Sequence, residues 1–289
     1  MPSLSVVIPT HRRANILKLC LKYLEMQTMA DELEVIVVSD GPDAETAALF
    51  HGSAPLALPP VTYLEIPKSQ QGVARNAGVK RATAPFVLFI GDDILLEQNA
   101  CERHLAAHRS QTYSSPTAVL GFTTWDPVVE ITPVMRWLEK SGWQFGYLQI
   151  RKYSHTFLPK KIQERFTYTS NISVPTDEAR KFKFREDMTL YGWEDIEWGM
   201  RMKQAGIRLY YEPDATALHH HHMRLEDSLI RAEELGRSLT KLAQVNSDFR
   251  RKLAGWRLVI RRFRMMLPTM EGKHHRALLH GIQSATKNS

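Results

Sequence analysis

Short apolar runs alternate with amphipathic segments along the first hundred residues. The runs at residues 4–8, 34–38, 61–66 and 86–90 are rich in β-branched or aromatic side chains and predict buried strands. Between them, residues 14–26, 44–50 and 72–82 have the apolar spacing of helices. This alternation predicts βαβ units, and therefore an α/β fold with a mainly parallel sheet flanked by helices.

The second half of the chain is less regular and ends in a long helical pattern. Residues 114–125, 170–174 and 208–211 predict short strands, and residues 193–205 predict a helix. From 225 to about 266 the pattern is helical, and Pro268 ends it. We therefore expect a domain over 1–224, with halves of about 1–110 and 111–224, and a helical extension over 225–289.

Composition excludes several classes of protein. The 289 residues are 43% hydrophobic and 24% charged, as in a soluble globular protein. No apolar run approaches the roughly 18 residues of a membrane span, and the N-terminus has no basic, apolar leader. Cys20 and Cys101 are too few for a disulfide framework or a four-cysteine zinc site. These features predict a cytoplasmic protein.

The positive charge is concentrated in the last forty residues. Residues 250–289 carry a net charge of +9, whereas residues 1–249 carry −2. A nucleic-acid-binding protein should spread its basic residues over a face, so no nucleic-acid partner is expected. As a helix, 249–266 would place an apolar stripe between arginines, the stripe being Phe249, Leu253, Trp256, Ile260 and Phe263. Such a helix can lie on an anionic membrane surface, pack on the protein or on a second subunit in a homodimer, or bind another acidic partner.

Two acids follow the fourth predicted strand. Ligands bind at the carboxyl ends of parallel strands, and Asp92 and Asp93 stand at such an end. Paired carboxylates there can hold Mg²⁺ or Mn²⁺ together with phosphate oxygens. The alternative is a helix N-cap, since an aspartate before a helix accepts backbone hydrogen bonds.

Two further segments carry side chains of chemical interest. Glu194 and Asp195 open a predicted helix beside Trp193, which suits a general base near a sugar but also an ordinary acidic first turn. A run of four histidines occupies 219–222. In an extended segment His219 and His221 share one face, so a divalent metal is one interpretation and a solvated loop is the other.

Six motifs, in order along the chain, resemble those of inverting family 2 glycosyltransferases with the GT-A fold. The resemblance covers about residues 5–242 and lies in VVIPTHRR (6–13), VVSDGPD (37–43), QGVARNAG (71–78), FIGDD (89–93), GWEDIEWGMRMKQAGIRLYYEPDATALHHHH (192–222) and LEDSLIRAEELGR (225–237). The Trp-Glu-Asp segment also resembles that of galactosyl- and N-acetylgalactosaminyltransferases. The implied fold is a Rossmann-like GT-A domain followed by the helical extension, with 1–110 as its nucleotide-sugar half and 111–224 as its acceptor half.

The resemblance implies a role for each matching residue. The nucleotide-binding positions are Pro9, Thr10, Arg12 or Arg13, Asp40 on the uracil N3–H, Arg75, Asn76 and Asp92. Asp93 falls on the position that touches the metal, His219 on the metal-ligand histidine, and His221 is the second candidate. Asp195 matches the catalytic base and Glu194 its acceptor-orienting neighbour. The sequence departs from the family at Gly91, where the Asp-X-Asp motif has its first aspartate.

The implied function is a metal-dependent transfer with inversion. The cofactors are Mn²⁺ or Mg²⁺ and a nucleotide-sugar donor, with UDP-sugar favoured. The acceptor is a hydroxyl of a glycan, a lipid-linked saccharide or a protein, as in polysaccharide biosynthesis at the inner face of the cell membrane. Residues 125–165 should shape the acceptor site, with Trp137, Trp143, Phe145 and Tyr147 as candidate stacking residues or as core residues. The alternatives are a catalytically degenerate scaffold that binds nucleotide-sugar, and a sugar-nucleotide pyrophosphorylase, for which VVIPTHRR lacks a glycine-rich loop.

Overall fold

The computed structural model describes residues 1–51, 59–110, 116–187, 191–253 and 263–287. The chain divides into two compact units. The first, here called the sheet unit, comprises 1–129, 145–186 and 195–221. The second, here called the helical unit, comprises 130–144, 187–194 and 222–289.

Strands and helices alternate as the apolar pattern predicts. The strands are β1 (Leu4–Thr10), β2 (Leu33–Asp40), β3 (Val61–Ile66), β4 (Phe86–Phe89), β5 (Ile94–Leu96), β6 (Thr117–Trp125), β7 (Thr156–Phe157), β8 (Ile172–Pro175) and β9 (Arg208–His219). The helices are α1 (Ala14–Glu25), α2 (Ala44–His51), α3 (Gln71–Arg81), α4 (Ala100–Ser110), α5 (Pro133–Ser141), α6 (Thr176–Lys181), α7 (Glu194–Gln204), α8 (Leu225–Val245), α9 (Ser247–Lys252) and α10 (Met270–Lys287). Short 3₁₀ turns lie at Ala30–Glu32, Gly146–Gln149, Arg151–Tyr153 and Gln163–Phe166.

All the described strands join one sheet in the sheet unit. Its order is β3-β2-β1-β4-β8-β6-β9-β5, with β7 paired to β9. The strands from β3 to β4 are parallel, as are β6 and β9, whereas β8, β5 and β7 pair antiparallel. The predicted fold class, an α/β sheet flanked by helices with a helical C-terminal region, is confirmed.

The core forms where the sheet is covered on both faces. All seven residues of the central strand β1 are buried, which explains its continuous apolar run. Helix α1 faces the sheet with a stripe that includes Leu17, Leu21 and Leu24. The edge strand β3 has no buried residue. Cys20 and Cys101 are both buried free thiols.

An irregularity in β9 fixes the position of that strand's end. The pairing of β6 with β9 shifts between Gly121 and Phe122, whose partners are Glu212 and Thr216. The Asn171 amide fills the shift, because its Nδ2 donates to Phe122 O at 3.1 Å and to Ala215 O at 2.7 Å. Beyond this point β9 runs in register to His219, which lies opposite Trp125 and Ile94.

The helical unit is built on α8 and α10. The two helices approach closely at Gly236 and Gly281, where an added Cβ would overlap the carbonyl oxygens of Leu278 and Glu233. The Ser228 hydroxyl and the Nε2 of His274 form a buried hydrogen bond of 2.7 Å. Among the described residues, no helix combines the length and the apolar character that a membrane span needs.

The prediction of one helical stretch from 225 to 266 was wrong. Helix α8 ends at Val245, and Asn246 is extended (φ −131°, ψ 117°) because its side chain accepts a hydrogen bond from Asp248 N and caps α9. A further helix, α10, follows Pro268. In the predicted stripe, Phe249 is fully buried against Trp193 and Phe263 is 67% exposed. Leu253 is half-buried, and residues 254–262, which hold Trp256 and Ile260, lie outside the described residues.

The aromatic residues expected near an acceptor pack within their own units. Trp137 and Trp143 contact each other and His274 in the helical unit. Phe145 and Tyr147 are buried in the sheet unit.

Candidate functional site

Three side chains of metal-ligand type converge at the end of β9. The register of β5 with β9 pairs Ile94 with His219, so Asp93 lies beside the last residue of β9. The Oδ2 of Asp93 is 3.2 Å from His219 Nε2 and 3.7 Å from His221 Nδ1. One ligand atom from each of the three residues lies within 4.8 Å of the others. We call these three residues the Asp93 group.

Ring packing sets the orientation of His219. Trp125 stacks on the imidazole at 5.1 Å, and Phe145 meets it edge-on at 5.3 Å. The ring of His221 stacks on that of His219, with 5.3 Å between the ring centres. The His219 Nδ1 is buried and has no hydrogen-bond partner among the described residues. Packing, instead of the usual hydrogen bond to the second ring nitrogen, therefore holds this imidazole.

His220, which lies between His219 and His221 in the chain, contacts a different acid, Asp126. His220 Nδ1 lies 2.6 Å from Asp126 Oδ2, and the backbone N–H of His220 donates to Asp93 O at 2.8 Å. Asp126 is 2% exposed, and its Oδ1 also accepts from Val128 N. His220 therefore has a different partner from His219 and His221, as expected because successive side chains of an extended segment point to opposite faces. Sequence reasoning missed Asp126, although it directly follows β6 and so stands at a strand end, as Asp40 does.

A guanidinium joins the two acids after β4. Arg13 Nη1 donates to Asp92 Oδ1 at 2.7 Å, and its Nη2 donates to Asp93 Oδ2 at 3.0 Å. The Thr10 hydroxyl donates to the other oxygen of Asp92 at 2.7 Å. Arg12 is exposed and has a left-handed backbone with φ 54°. The structure thus brings Arg13, and not its neighbour, to the acids.

The two acids differ in their affinity for a proton. Burial, together with the adjacent charge of Asp93, raises the pKa of Asp92 to about 6, although Arg13 and Thr10 oppose the rise. Burial also acts to raise the pKa of Asp93, but His219, His221 and Arg13 outweigh it and hold that pKa well below its ordinary value. Asp93 is therefore anionic at neutral pH, as a metal ligand must be.

Gly91 has a steric role in this arrangement. An added Cβ at this position would lie 2.9 Å from Asp93 Oδ1, closer than real Cβ contacts. The missing side chain therefore leaves room for the Asp93 carboxylate to turn toward the histidines. An aspartate here, as in the family motif, would crowd that carboxylate.

Asp40 belongs to a separate polar cluster at the end of β2. Its Oδ2 is 2.6 Å from Lys68 Nζ, and its Oδ1 accepts from the backbone N of Ser69 at 2.7 Å and from the Ser69 hydroxyl at 3.0 Å. Burial opposes ionisation, but these hydrogen bonds and the lysine charge lower the pKa of Asp40. Asp40 is an anion held at the carboxyl edge of the sheet.

The two residues of α3 that were predicted to bind nucleotide, Arg75 and Asn76, contact the segment around Phe184. The buried Arg75 lies with its guanidinium carbon 5.5 Å from the centre of the Phe184 ring. The Asn76 amide accepts from Phe184 N at 2.9 Å and donates to Phe184 O at 2.8 Å and to Glu186 Oε1 at 2.7 Å. Asn76 thus fixes the path of 184–186.

Glu194 and Asp195 begin α7, as predicted. Glu194 is 5% exposed, whereas Asp195 is partly exposed. Asp195 Oδ1 accepts from the backbone N of Ile196 at 2.7 Å, and Thr167 Oγ1 donates to Asp195 O at 2.8 Å. Burial raises the pKa of Tyr168, and the nearby charge of Asp195 adds to the rise. The helix N-terminus favours an anionic Asp195.

The donor set of the Asp93 group fits a divalent transition metal. One anionic carboxylate and two imidazoles match the ligands that Mn²⁺ or Zn²⁺ accepts, and the carboxylate is already ionised. A sugar diphosphate could approach an ion held there, since Arg13 and the carboxyl ends of β1 and β4 surround the same point.

The sequence profile described as Glycosyl transferase family 2 matches residues 5–158. Among curated relatives, the validoxylamine A glucosyltransferase of Streptomyces hygroscopicus subsp. jinggangensis (strain 5008) is 27% identical over 246 residues, 79% of this chain and 58% of that protein. The pre-mycofactocin glycosyltransferase of Mycobacterium tuberculosis (strain ATCC 25618 / H37Rv) is 27% identical over 251 residues, 84% of this chain and 48% of that protein. The chain therefore spans about half the length of these relatives.

Two solved structures have the same fold at low sequence identity. The mannosyltransferase PcManGT from Pyrobaculum calidifontis, in complex with GDP-Man and Mn²⁺, aligns with a TM-score of 0.57 at 16% identity, covering 100% of this chain and 76% of that one. Residues 1–349 of TarS from S. aureus, in complex with UDP-GlcNAc, align with a TM-score of 0.53 at 15% identity, covering 100% and 93%. These likenesses show the GT-A fold.

Proposed function

The chain belongs to glycosyl transferase family 2, and from that premise we propose a metal-dependent, inverting transfer of a sugar from a nucleotide-diphospho-sugar to a hydroxyl group. The observation that carries the proposal is the Asp93 group, in which Asp93, His219 and His221 place three ligand atoms within 4.8 Å of one another. One carboxylate facing two imidazoles is a set of ligands that divalent transition metals accept.

Mn²⁺ suits this site better than Mg²⁺ does. Mg²⁺ prefers oxygen ligands in an octahedral shell, whereas imidazole nitrogens suit transition metals. Two of the three candidate ligands are imidazoles. When bound, such an ion offsets the negative charge of a diphosphate leaving group.

The residues proposed to bind the donor lie at the carboxyl ends of β1, β2 and β4 and in α3. They are Pro9, Thr10, Arg12, Asp40, Arg75, Asn76 and Asp92, joined by Arg13 on the evidence of its contacts. Asp40 is anionic and can accept the uracil N3–H if its present partners shift. This favours UDP, although the similar structures hold GDP-Man in one case and UDP-GlcNAc in the other.

Asp195 is the proposed general base. A carboxylate at a helix N-terminus, partly exposed and held at its backbone by Thr167, can receive the proton of an acceptor hydroxyl as that oxygen attacks the anomeric carbon. Glu194, the preceding residue, is proposed to orient the acceptor. One base acting opposite the leaving group gives inversion.

The acceptor is proposed to be a hydroxyl of a glycan, a lipid-linked saccharide or a protein. The relatives' names add small molecules, a validoxylamine and a pre-mycofactocin, as a further class. The basic segment 249–266 is proposed to meet an anionic membrane or to pack on the protein, and the burial of Phe249 supports packing at its first residue.

A transfer assay tests the proposal. Purified protein with Mn²⁺ is incubated with UDP-glucose, UDP-galactose, UDP-GlcNAc or GDP-mannose, and nucleotide release is measured with and without pooled hydroxyl acceptors. Asp195→Asn should bind UDP normally and lose turnover by at least about a hundredfold. The control Asp177→Asn removes a carboxylate from a side chain that is 94% exposed and should keep full turnover. Near-normal turnover in Asp195→Asn would exclude this residue as the base, and no release from any donor would favour the scaffold alternative.

A further inference from the structure

Three nitrogen atoms approach a single oxygen of Asp93. Its Oδ2 accepts a hydrogen bond from Arg13 Nη2 at 3.0 Å and lies 3.2 Å from His219 Nε2 and 3.7 Å from His221 Nδ1. A metal ion held by the two histidines and this carboxylate would occupy the same point in front of Oδ2. A guanidinium and a divalent cation repel each other, so each weakens the binding of the other to one anionic oxygen.

Arg13 has a second anchor that does not involve the proposed metal ligands. Its Nη1 donates to Asp92 Oδ1 at 2.7 Å, and the Asp92 carboxylate is itself fixed by the Thr10 hydroxyl. Asp92 is 5% exposed, so its charge needs a buried partner. The Arg13 side chain is 35% exposed, which leaves one of its sides open to solvent.

We propose that Arg13 is a built-in counter-cation of the Asp92–Asp93 pair, which competes with the metal ion for Asp93 and is turned toward the donor diphosphate when the ion binds. This inference rests on the proposed function, and it goes further by giving Arg13 two alternating anionic partners. With Asp92 as its pivot, the guanidinium keeps one hydrogen bond while the other is exchanged for a phosphate oxygen. Metal and nucleotide should then bind cooperatively, because each favours the same position of Arg13.

Mn²⁺ titration without nucleotide separates this role from a general effect of charge. Arg13→Gln should bind Mn²⁺ about five- to tenfold more tightly than the wild type, the size expected for losing one partly shielded competing ion pair. Arg103→Gln removes the same charge from an exposed position of α4 in the same unit and should change the Mn²⁺ affinity by less than about twofold. The free ion can be followed by electron paramagnetic resonance, independently of turnover.

A second readout tests the cooperativity. UDP should tighten Mn²⁺ binding in the wild type, and this gain should shrink severalfold in Arg13→Gln. Without metal the variant should melt at a lower temperature than the wild type, because the two acids lose their counter-ion, and Mn²⁺ should restore the melting temperature. Folding and metal binding are thus observed in the same sample.

The outcomes distinguish this inference from the proposed function. Equal or weaker Mn²⁺ binding in Arg13→Gln, or equal gains in both arginine variants, would overturn the competitor role while leaving the metal site in place. Asp93→Asn serves as the site control and should bind no Mn²⁺ in this range. If the wild type itself binds no Mn²⁺ with or without UDP, the proposed metal site fails, and the competitor role fails with it.

Discussion

Asp126 is expected to control the metal affinity of a site that it does not touch. Its carboxylate accepts from His220 Nδ1 at 2.6 Å and from Val128 N at 2.9 Å. By holding His220, it fixes the backbone between the two proposed metal-ligating histidines. Asp126→Ala removes this anchor and frees the end of β9 beyond His219.

The magnitude follows from the segment that is released. Reordering one freed residue when the ion binds costs about 1–2 kcal/mol, which corresponds to a loss of about five- to thirtyfold in Mn²⁺ affinity. This range agrees with the roughly 10- to 100-fold effects of losing groups that orient metal ligands. Asp126→Asn keeps an acceptor oxygen for His220 and should lose less affinity than the alanine variant.

Calorimetric titration with Mn²⁺ measures the effect. Asp177→Ala is the matched control, since it removes an exposed carboxylate from the same unit and should leave the affinity unchanged. Far-ultraviolet circular dichroism confirms that each variant is folded. Wild-type affinity in a folded Asp126→Ala protein would refute the reasoning, because it would mean that the histidines need no anchor.

Two further predictions concern the glycine before the acids and the buried histidines. Gly91→Ala places a Cβ that would stand 2.9 Å from Asp93 Oδ1, so the carboxylate must turn and the Mn²⁺ affinity should fall about tenfold. Gly91→Asp, which restores the family's motif, should also weaken Mn²⁺ binding. Tighter Mn²⁺ binding in either variant would contradict the steric role of Gly91. Burial lowers the pKa of His104 to about 4 and that of His108 to about 3, below the ordinary 6.5. The unfolded chain therefore takes up protons at these residues before the folded protein does, and each histidine should reduce the free energy of unfolding as pH falls from 6.5 toward 4, by up to about 1.4 kcal/mol per pH unit. Urea denaturation at pH 7, 6 and 5 measures this slope, which should be smaller in His104→Gln. Equal slopes would show that His104 takes up its proton at the same pH in the folded and the unfolded protein.

The strands and helices of the first hundred residues could be predicted because local pattern and tertiary environment agree there. β1 is buried on both faces, and its sequence is apolar throughout. The break at Asn246 could not be predicted from periodicity, because the apolar spacing continues through it and only the capping hydrogen bond to Asp248 ends the helix. Helix α10 begins beyond Pro268, where the periodic pattern ends, although it lies within the helical extension predicted over 225–289.

The site was predictable in its residue types but not in its contacts. The rule that ligands meet at strand ends selects Asp40, Asp92 and Asp93, yet the structure puts Asp40 in a cluster of its own with Lys68. No local pattern shows that Arg13 reaches both acids while Arg12 is exposed, since that depends on the positive φ of Arg12. The position of His219 depends on the shift in β9, which only the Asn171 amide and the neighbouring strands determine.

UDP binding in the presence and absence of Mn²⁺ tests the central claim most directly. Calorimetric titration of the wild type and of Asp93→Asn, with GDP as the comparison nucleotide, gives both the nucleotide preference and the role of the Asp93 group. The account predicts that UDP binds the wild type more tightly with Mn²⁺ than without it, and that Asp93→Asn loses this difference. UDP binding that is equally tight with and without Mn²⁺, or a full Mn²⁺ effect in Asp93→Asn, would contradict a metal-dependent nucleotide-sugar site built on Asp93, His219 and His221.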